Sequence, residues 1–395
     1  MKILYRYLKN FLRDLRRDTY SYLGRNFKRG TYKSGKYSFG IQIIGFASLA
    51  KGVGESVRSH IRAINILKFN NSVIDLKEKK TFEVKNYYKY NLFHINADLV
   101  PEMYFKLGKN FWEDKYNIGF WLWELEKFPS KWMNSFDYFD EIWVCSDFIY
   151  ECLKKVSPIP VIKVPISINV KTDEKYNRGY FKLPKEQFLF LSMYDTNSVQ
   201  ERKNPKASIK AFQMAFKKDD KVVGMVVKVN NAEDRQNEIK EIEKMILGWE
   251  SIYLICENLS KPEVNGLINS CDSFISLHRS EGFGLVIAEF MYLGKPVIVT
   301  DWSGNIDFTN EENSCCVSYD FIELKENFGP YEKGNRWAEA NIEEAGEYMK
   351  KLVNDKEYYN QKSKLGEQFI KSNFSDECIA GMIRDRIFEL ENKKG

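Results

Sequence analysis

Long hydrophobic runs are missing from this sequence of 395 residues. The longest apolar stretch, FGIQIIGFASLA at 39–50, contains Gln42 and is shorter than the ~20 residues that a helix needs to cross a bilayer. The first residues, MKILYRYLKN, are basic but have neither the apolar segment nor the small-residue cleavage site of a signal peptide. We therefore predict a cytoplasmic protein that is not exported and has no membrane-spanning helix.

Cysteine pairs and clusters of metal ligands are also missing. The seven cysteines are odd in number, show no CxxC spacing and lie mostly in apolar stretches, which indicates reduced, buried thiols. No group of His, Cys and Asp residues has the spacing of a metal site, and no DxD element follows an apolar strand. We therefore predict no metal site and no requirement for a cofactor.

An excess of basic residues is confined to the start of the chain. The net charge is +5, but residues 1–36 carry eleven Lys and Arg against Asp14 and Asp18, a local charge of +9, and the remainder carries −4. This distribution argues against nucleic-acid binding. It predicts an amphipathic arm over 1–36 that binds an anionic membrane at its inner face; the alternative is an arm that packs onto the protein. The apolar stripe of the arm consists of Tyr5, Leu8, Leu12 and Leu15.

Two domains are expected, since one hydrophobic core rarely grows beyond ~250–300 residues. Short apolar runs alternate with longer amphipathic stretches, which is typical of α/β domains with helices on both faces of a mostly parallel sheet. We predict the arm at 1–36, a first doubly wound domain at 37–175, a second at 176–372 and a C-terminal helix at 373–395 that crosses back to the first. The predicted strands are 39–46, 91–96, 116–121, 141–145, 161–164, 188–194, 222–229, 251–257, 273–277 and 295–300. The predicted helices are 54–68, 98–108, 130–138, 146–156, 205–217, 234–247, 261–270 and 284–293, with three more from residue 338.

The most informative residues follow a predicted strand, in SLHRSEGFGLVIAEFMYLGKPVIVTDWSGN at 276–305. Glu281 lies in the loop after the strand, and Glu289 lies on the helix that follows. The turn between them consists of Gly282, Phe283 and Gly284. Glycines let a backbone approach a ligand closely, a helix N-terminus binds a diphosphate, and carboxylates bind vicinal hydroxyls. The segment thus predicts a nucleotide-sugar site, or alternatively a glycine turn with incidental surface glutamates.

The spacing EGFGLVIAE, from Glu281 to Glu289, resembles the signature of the retaining glycosyltransferases of the GT-B fold, family four in the sequence classification. That fold has two Rossmann-like domains that face each other across a cleft. The resemblance implies that Glu281 contacts the donor sugar, that Glu289 binds the ribose and that the backbone of 282–284 binds the diphosphate. It covers 39–375 and is strongest over 192–308.

A basic pair, Arg202 and Lys203, follows the first strand of the second half. It precedes Asn-Pro, a good helix start, and two cations there suit a leaving diphosphate; a solvated basic turn is the alternative. In the resembled family a Lys in this loop neutralises the diphosphate, which implies Lys203. The Gly-Arg that is usual after the strand is replaced by Tyr-Asp at 194–195, so we assign its role to Arg202.

Three further residues are candidates for the donor side. Lys228 ends the next predicted strand and is a third cation for the diphosphate. His278 precedes the glutamate motif and either lines the donor site or only packs there. Ser303, with Gly304 and Asn305, begins another predicted helix suited to contacts with phosphate or base.

A glycine loop, AKGVGESVRSHIRAI at 50–64, opens the first long helix. It contains GxG without the third glycine of a dinucleotide fingerprint, and with Asp75 as the ribose-binding acid it admits an NAD-dependent oxidoreductase. The resembled family also has a glycine loop after its first strand, beside the acceptor. The resemblance therefore implies acceptor-side roles for Gly52, Gly54 and Arg58.

Tryptophans and carboxylates occur together over 119–132. Trp121, Trp123 and Trp132 with Glu124 predict an aromatic floor for a sugar ring, or alternatively an ordinary core. The sequence of this segment also resembles bacterial members of the family that act on cell-surface polysaccharides. Many relatives have a His after the strand that ends here at Trp121; His94, one strand earlier, is either an acceptor-side residue or a structural one.

These residues predict a retaining transferase that moves a hexose-type sugar from a nucleotide diphosphate sugar to a glycan or lipid-linked glycan, in the synthesis of a surface polysaccharide or glycoconjugate. The catalytic residues would be Glu281, Lys203 and Arg202. Two alternatives remain: an NAD-dependent oxidoreductase, and a nucleotide-sugar-binding partner that has lost catalysis.

Overall fold

The computed structural model describes residues 15–20, 22–23, 35–49, 52–77 and 88–392. Most of the arm predicted at 1–36 lies outside these residues. The chain divides into two compact units: unit 1 comprises Met1–Ser167 and Ile379–Gly395, and unit 2 comprises Ile168–Cys378.

Unit 2 begins at Ile168, whereas the sequence predicted a boundary at 175/176. The reason lies in the hydrogen bonds of the connecting segment. The Ile168 amide donates to the Phe374 carbonyl at 2.7 Å, and the Asn265 side chain donates to the Lys171 carbonyl at 2.9 Å. The polar stretch predicted as a linker is therefore bound to unit 2.

Unit 1 contains a parallel six-stranded sheet in the order β2-β1-β3-β4-β5-β6. Its strands are β1 Ser38–Gly45, β2 Asn71–Asp75, β3 Tyr88–His94, β4 Tyr116–Phe120, β5 Glu141–Val144 and β6 Val161–Lys163. The strand order reverses between β1 and β3, and ligands of open α/β sheets bind at such a reversal, beyond the carboxyl ends of the strands. Gly45 and His94 pair at that end.

Helices cover the sheet of unit 1. They are α1 Gly52–Ile66, α2 Val100–Leu107, α3 Lys109–Trp112 and α4 Asp147–Lys154, with 3-10 turns at Ala97–Leu99 and Ser130–Tyr138. The helix predicted at 98–108 corresponds to the 3-10 turn Ala97–Leu99 and to α2, Val100–Leu107. This helix ends at Gly108, a residue with a φ of +79°. The helix predicted at 130–138 is a 3-10 helix.

Unit 2 contains a second parallel six-stranded sheet, in the order β12-β11-β10-β7-β8-β9. Its strands are β7 Phe188–Asp195, β8 Val223–Asn230, β9 Ile252–Ile255, β10 Ser273–Ser276, β11 Val297–Thr300 and β12 Cys315–Val317. The order reverses between β7 and β10. These are the two strands whose following loops carry the basic pair and the glutamate motif.

The helices of unit 2 are α5 Gln200–Lys203, α6 Pro205–Ala215, α7 Gln236–Ile246, α8 Lys261–Ser270, α9 Leu285–Tyr292, α10 Ile342–Asn354 and α11 Lys356–Asn373, with 3-10 turns at Ala232–Asp234 and Gly304–Asp307. On α6, Ala207, Ala211 and Phe212 are buried in the core, because they recur at helical spacing on one face.

An antiparallel hairpin follows the sheet of unit 2. It consists of β13 Tyr319–Glu323 and β14 Arg336–Ala340, with Asp320 opposite Glu339. The sequence predicted three helices from about residue 338; β14 occupies that position, and the first of the three helices begins at Ile342.

The last helix, α12 Asp376–Asn392, ends in unit 1. Arg386 on this helix forms an ion pair with Glu141, which is completely buried at the start of β5. Lys89 of β3 forms a second ion pair, with Glu391, at 2.5 Å. These pairs bind the end of the chain to the sheet of unit 1.

Candidate functional site

Glu281 and the basic pair meet at the strand reversal of unit 2. The Glu281 carboxylate accepts a hydrogen bond from the Lys203 ammonium group, and its other oxygen lies 3.5 Å from the Arg202 guanidinium. Arg202 also donates to the Ser280 carbonyl at 2.7 Å. Residues about 80 positions apart in sequence therefore form one cluster of two cations and one anion, as parallel strands with adjacent carboxyl ends allow.

Burial by itself raises the pKa of Glu281, but the charges of Lys203 and Arg202 outweigh burial and lower this pKa to about 2. Glu281 is 8% exposed. It is therefore ionised at neutral pH and is available as a hydrogen-bond acceptor.

The glycine turn after Glu281 ends in a left-handed residue, Gly284, with a φ of +98°. This conformation favours glycine. The helix α9 then begins at Leu285, so its unpaired N–H groups lie at the carboxyl edge of the sheet. Phe283 anchors the turn by packing on Phe308 and Phe374, with ring centroids 5.1 and 5.7 Å away.

The loop after β11 supports this turn. The Ser303 hydroxyl accepts a hydrogen bond from the Glu281 amide at 2.8 Å, and the Gly304 amide donates to the Glu281 carbonyl at 2.9 Å. Ser303 has a φ of +77°, which is strained for a residue with a side chain. A Cβ on Gly304 would lie 2.2 Å from the Gly282 carbonyl oxygen, so the two loops touch through their backbones.

His278 lies under the same turn. Its Nε2 is 2.9 Å from the Asn305 Oδ1, and its Nδ1 is 3.1 Å from the Ser276 hydroxyl. Burial lowers the pKa of His278. Its imidazole joins the strand β10 to the loop after β11, and Asn305 is itself buried and donates to the Thr300 carbonyl at 3.0 Å.

Glu289 has a cationic partner that the sequence did not identify. The Glu289 carboxylate, buried on α9, accepts a hydrogen bond from Lys261 at the start of α8. A capping box of Ser260 and Glu263 fixes that helix start. The Ser-x-x-Glu pattern at 260–263, which the sequence-based prediction did not use, is a signal for a helix start and would have placed Lys261 there.

Lys228 lies at the end of β8 and is completely buried. Its ammonium group donates to the Asn230 Oδ1 at 2.7 Å and to the Val229 carbonyl at 3.0 Å. Burial lowers its pKa to about 8. Lys228 is therefore a separate cation on the neighbouring strand, with its own partners.

In unit 1, the glycine loop is closed by Arg58. Its guanidinium donates to the carbonyls of Ala47 and Leu49, at 2.7 and 2.9 Å. A Cβ on Gly54 would lie 2.0 Å from the Leu49 carbonyl oxygen, so the loop requires glycine there. Gly52 begins α1 and is exposed.

His94 is buried in unit 1 and is paired with a second histidine. The His94 Nε2 is 3.1 Å from the His60 Nδ1, and the His60 Nε2 is 3.2 Å from the Pro165 carbonyl. Ser56 lies 3.4 Å from the other nitrogen of His94. Burial lowers the pKa of His60 to about 4 and that of His94 well below the usual value, so both rings are neutral. The sequence missed His60, since it lies mid-helix on the apolar face of α1.

Trp121 is 1% exposed and stacks on Phe128, with ring centroids 5.6 Å apart. Trp123 is also buried, and its indole donates to the Lys127 carbonyl at 2.9 Å. Glu124 is half-buried beside them. The aromatic rings over 121–136 thus form a packed cluster in unit 1, and the acceptor-side role of Trp121 and Glu124 stays a prediction.

No three His, Cys, Asp or Glu residues within 15–20, 22–23, 35–49, 52–77 and 88–392 are grouped so that they could hold a metal ion. Within the same ranges no helix is both long enough and apolar enough to cross a membrane.

Residues 177–369 match the family model described as "Glycosyl transferases group 1". The match includes the basic pair, the glutamate motif and the hairpin. No curated protein matches the chain by sequence.

Three solved structures resemble the fold over most of the chain. Sucrose-phosphate synthase of Thermosynechococcus elongatus is 13% identical with a TM-score of 0.66, over 90% of this chain and 100% of that chain. A glycosyltransferase of Rickettsia africae is 14% identical with a TM-score of 0.65, over 89% and 99% of the two chains. HepE of Anabaena, solved with UDP and glucose, is 11% identical with a TM-score of 0.64, over 89% and 100%.

Likenesses at such low identity show the fold, and they confirm the predicted class: an α/β protein with two doubly wound sheets, as in GT-B glycosyltransferases. Together with the family match they support a GT-B glycosyltransferase and glycosyl transfer as its activity. Neither the NAD-dependent oxidoreductase nor the non-catalytic partner is favoured.

Proposed function

We propose that this chain is a retaining glycosyltransferase that moves a hexose-type sugar from a nucleotide diphosphate sugar to a glycan acceptor, in the synthesis of a surface polysaccharide or glycoconjugate. The observation that supports the proposal most strongly is the contact of the buried Glu281 carboxylate with Lys203 and Arg202. The contact brings one carboxylate and two cations together at one strand reversal, and these groups have the charges that suit sugar hydroxyls and a diphosphate.

Each residue of the cluster has a distinct role in the proposal. Lys203 and Arg202 neutralise the charge that grows on the leaving diphosphate as the donor bond breaks. Because these two cations supply that charge, we propose that no metal ion is required. Glu281 binds hydroxyls of the donor sugar, and Glu289 binds the ribose.

The remaining donor-side residues complete the proposed site. The amides of 282–284 and the N-terminus of α9 bind the diphosphate. Lys228 adds positive charge from the neighbouring strand, and His278 and Ser303 hold the turn in place through the hydrogen bonds described above.

Retention follows if the acceptor attacks the face from which the diphosphate departs. The bond from the anomeric carbon to the phosphate oxygen breaks with its electron pair going to the diphosphate. The bond from the anomeric carbon to the acceptor oxygen forms, and the acceptor hydroxyl proton passes to an oxygen of the departing diphosphate. No protein nucleophile is needed. We assign the acceptor side to unit 1, with Gly52, Gly54, Arg58, His94, Trp121 and Glu124.

A thermal-shift panel of UDP, GDP and dTDP tests the donor site. One base should raise the melting temperature, since a ligand at 100 times its Kd stabilises the folded state by about 2.7 kcal/mol. UDP is the first probe, because HepE was solved with UDP. The matching nucleotide sugars should then release diphosphate in the presence of crude glycan or lipid-linked glycan. A panel without any shift contradicts the proposal, and inversion at the anomeric carbon of the product contradicts retention.

We also propose that the arm at 1–36 holds the enzyme at an anionic membrane, at the cytoplasmic face, near a lipid-linked acceptor. All three basic residues of the arm that the structure describes have acidic partners in unit 1: Arg16 contacts Glu102 at 3.0 Å, Arg17 contacts Asp98 at 2.9 Å, and Lys36 contacts Asp114 at 2.6 Å. These pairs fit an arm that packs onto the protein, so the membrane proposal rests on the other eight basic residues of 1–36. The full chain should co-sediment with anionic liposomes at low salt and not with neutral ones, and deletion of 1–36 should abolish binding. Undiminished binding of the truncated chain contradicts the proposal.

A further inference from the structure

The hairpin β13–β14 lies against the basic turn of unit 2, and the family signature gives it no role. We propose that this hairpin positions Arg202 and Lys203 for the donor diphosphate, with Arg279 and Glu339 as positioning residues. The inference rests on the function proposed above and extends it from the cations to the residues that hold them.

The turn that carries the two cations is too short to supply hydrogen-bond partners for all of its own backbone groups. α5 has four residues, Gln200–Lys203, and the last four carbonyls of a helix have no partner within it. Arg279 supplies partners for two of them. Its amide donates to the Arg202 carbonyl at 2.7 Å, and its guanidinium donates to the Glu201 carbonyl at 2.9 Å.

Glu339, on β14, orients the Arg279 guanidinium. The Glu339 Oε2 lies 2.5 Å from both Nε and Nη2 of Arg279, a charged contact stronger than a neutral hydrogen bond. The amide of Ala338 donates to the Arg279 carbonyl at 3.1 Å. The hairpin therefore fixes both the backbone and the side chain of Arg279.

The same carboxylate reaches the far end of α5. The Glu339 Oε1 accepts a hydrogen bond from the Asn204 side chain at 3.3 Å. Asn204 ends α5 and precedes α6 with a φ of +49°, a left-handed conformation that is uncommon for a residue with a side chain. Glu339 thus connects Arg279 to the residue directly after Lys203.

Aromatic rings of the hairpin complete the contact. Tyr331, buried in the hairpin loop, lies with its ring centroid 5.8 Å from the Arg202 guanidinium. Trp337, buried on β14, lies 5.9 Å from the Arg279 guanidinium. A planar cation over an aromatic face is attracted to it. Arg202 is therefore held between the Ser280 carbonyl and Tyr331.

The test measures how much the terminal phosphate contributes to binding. Calorimetry gives the Kd of the nucleoside monophosphate and the Kd of the nucleoside diphosphate, for the base that the thermal-shift panel selects. The ratio of the first Kd to the second measures the contribution of the terminal phosphate. Glu339→Ala and Arg279→Ala should each lower this ratio about tenfold, because displacement of a positioned group by ~1 Å has effects of up to ~10²-fold. A general loss of stability would weaken both nucleotides alike and leave the ratio unchanged.

Conservative and double variants sharpen the result. Glu339→Gln should keep most of the ratio, since its amide oxygen still accepts a hydrogen bond from Arg279. The double variant Glu339→Ala/Arg279→Ala should lose no more than either single variant, because the two residues act as one unit. Glu326→Ala, which removes an exposed carboxylate of the same hairpin, should match the unchanged protein. If Glu339→Ala does not fold, Arg279→Lys carries the test, since it keeps a cation but loses the second guanidinium arm.

Lys203→Ala separates the two proposals. If Lys203→Ala lowers the ratio while Glu339→Ala and Arg279→Ala do not, the positioning role is overturned and the proposed function stands. If Lys203→Ala leaves the ratio unchanged, or if no base binds, the diphosphate site assigned to α5 is wrong, and the positioning role fails with it.

Discussion

Glu281 and Glu289 are both buried carboxylates, but they contact different cations. Substitutions at the two positions should therefore have different effects. Glu281→Gln removes the charge that we assign to the donor sugar but keeps Lys203 and Arg202, the two residues that we assign to the diphosphate. We expect calorimetric binding of the nucleoside diphosphate to persist while turnover falls by about 10²–10³-fold, the range for one preorganised electrostatic group.

Glu289→Ala should instead weaken nucleotide binding, because it removes the carboxylate that we assign to the ribose and leaves Lys261 without this anion. The same calorimetry and a diphosphate-release assay give both quantities for both variants. The opposite partition between binding and turnover would reverse the two assignments, and full turnover in both variants would remove these residues from the site.

Acid should destabilise the protein partly through Glu281. The pKa of this carboxyl is about 2 in the folded chain against an ordinary value of 4.5. As the pH falls from ~5 to ~2 the unfolded chain binds the proton first, so the folded state loses the stability that the ionised carboxylate provides above that window. We therefore expect the difference in melting temperature between the unchanged protein and Glu281→Gln to shrink over this range. A constant difference would mean that the two cations do not lower this pKa.

The sequence indicated these residues because their order along the chain carries the chemistry: a carboxylate, glycines and a helix start after a strand. It did not indicate Arg279 or Glu339. Their role depends on a contact at 2.5 Å between residues 60 positions apart, and an isolated Arg or Glu has no local pattern that predicts such a partner.

Among the elements, the loops at 278–284 and 300–305 act together through Gly304. Gly304→Ala would place a methyl group 2.2 Å from the Gly282 carbonyl oxygen and 2.7 Å from the Phe283 nitrogen. Both neighbours are backbone atoms, so the two loops must separate and the glycine turn before α9 must move. We expect a lower melting temperature and loss of nucleoside diphosphate binding.

Gly381→Ala is the matched control, since a Cβ there meets nothing within 4 Å. It lies in the interior of α12, where Ala is favoured over Gly by roughly 0.5–1 kcal/mol. This variant should bind nucleotide normally and melt no lower than the unchanged protein. Normal binding by Gly304→Ala would show that the two loops are independent.

Central strands could be predicted from sequence, and so could the edge strands β6 and β9, while the other edge elements could not. The predicted strand at 222–229 matches β8 Val223–Asn230, because a buried parallel strand is a continuous apolar run. The sequence missed β2 and β12. β2 is a half-buried edge strand of mixed composition, and β12 is only Cys315–Val317. The hairpin was missed because its outer strand, Tyr319–Glu323, is mostly exposed and shows no buried alternation.

For the molecule as a whole, the return of α12 to unit 1 should govern the stability of that unit. Arg386→Ala leaves Glu141 completely buried without its cation, and removal of one partner of a buried pair costs about 3–5 kcal/mol. Hydrogen exchange of the β5 amides, measured over a urea titration, should show this loss as a lower free energy of unfolding for unit 1.

Arg384→Ala is the control for that experiment, because Arg384 is exposed on the same helix and pairs with its exposed neighbour Asp385. It should leave the unfolding of unit 1 unchanged. A replacement of both partners, Arg386→Met/Glu141→Gln, should restore much of the stability, since no unpaired charge remains buried. Equal losses from Arg384→Ala and Arg386→Ala would contradict the role of the pair.

The split of unit 1 between Met1–Ser167 and Ile379–Gly395 also sets an order of events on the ribosome. Chains are made from the N-terminus, and domains fold as units while synthesis proceeds. All of unit 2 is translated before the α12 residues that bear Arg386. Unit 2 can therefore complete its fold first. Unit 1 begins earlier in translation but is completed later, because Glu141 cannot form its ion pair before Arg386 has been translated.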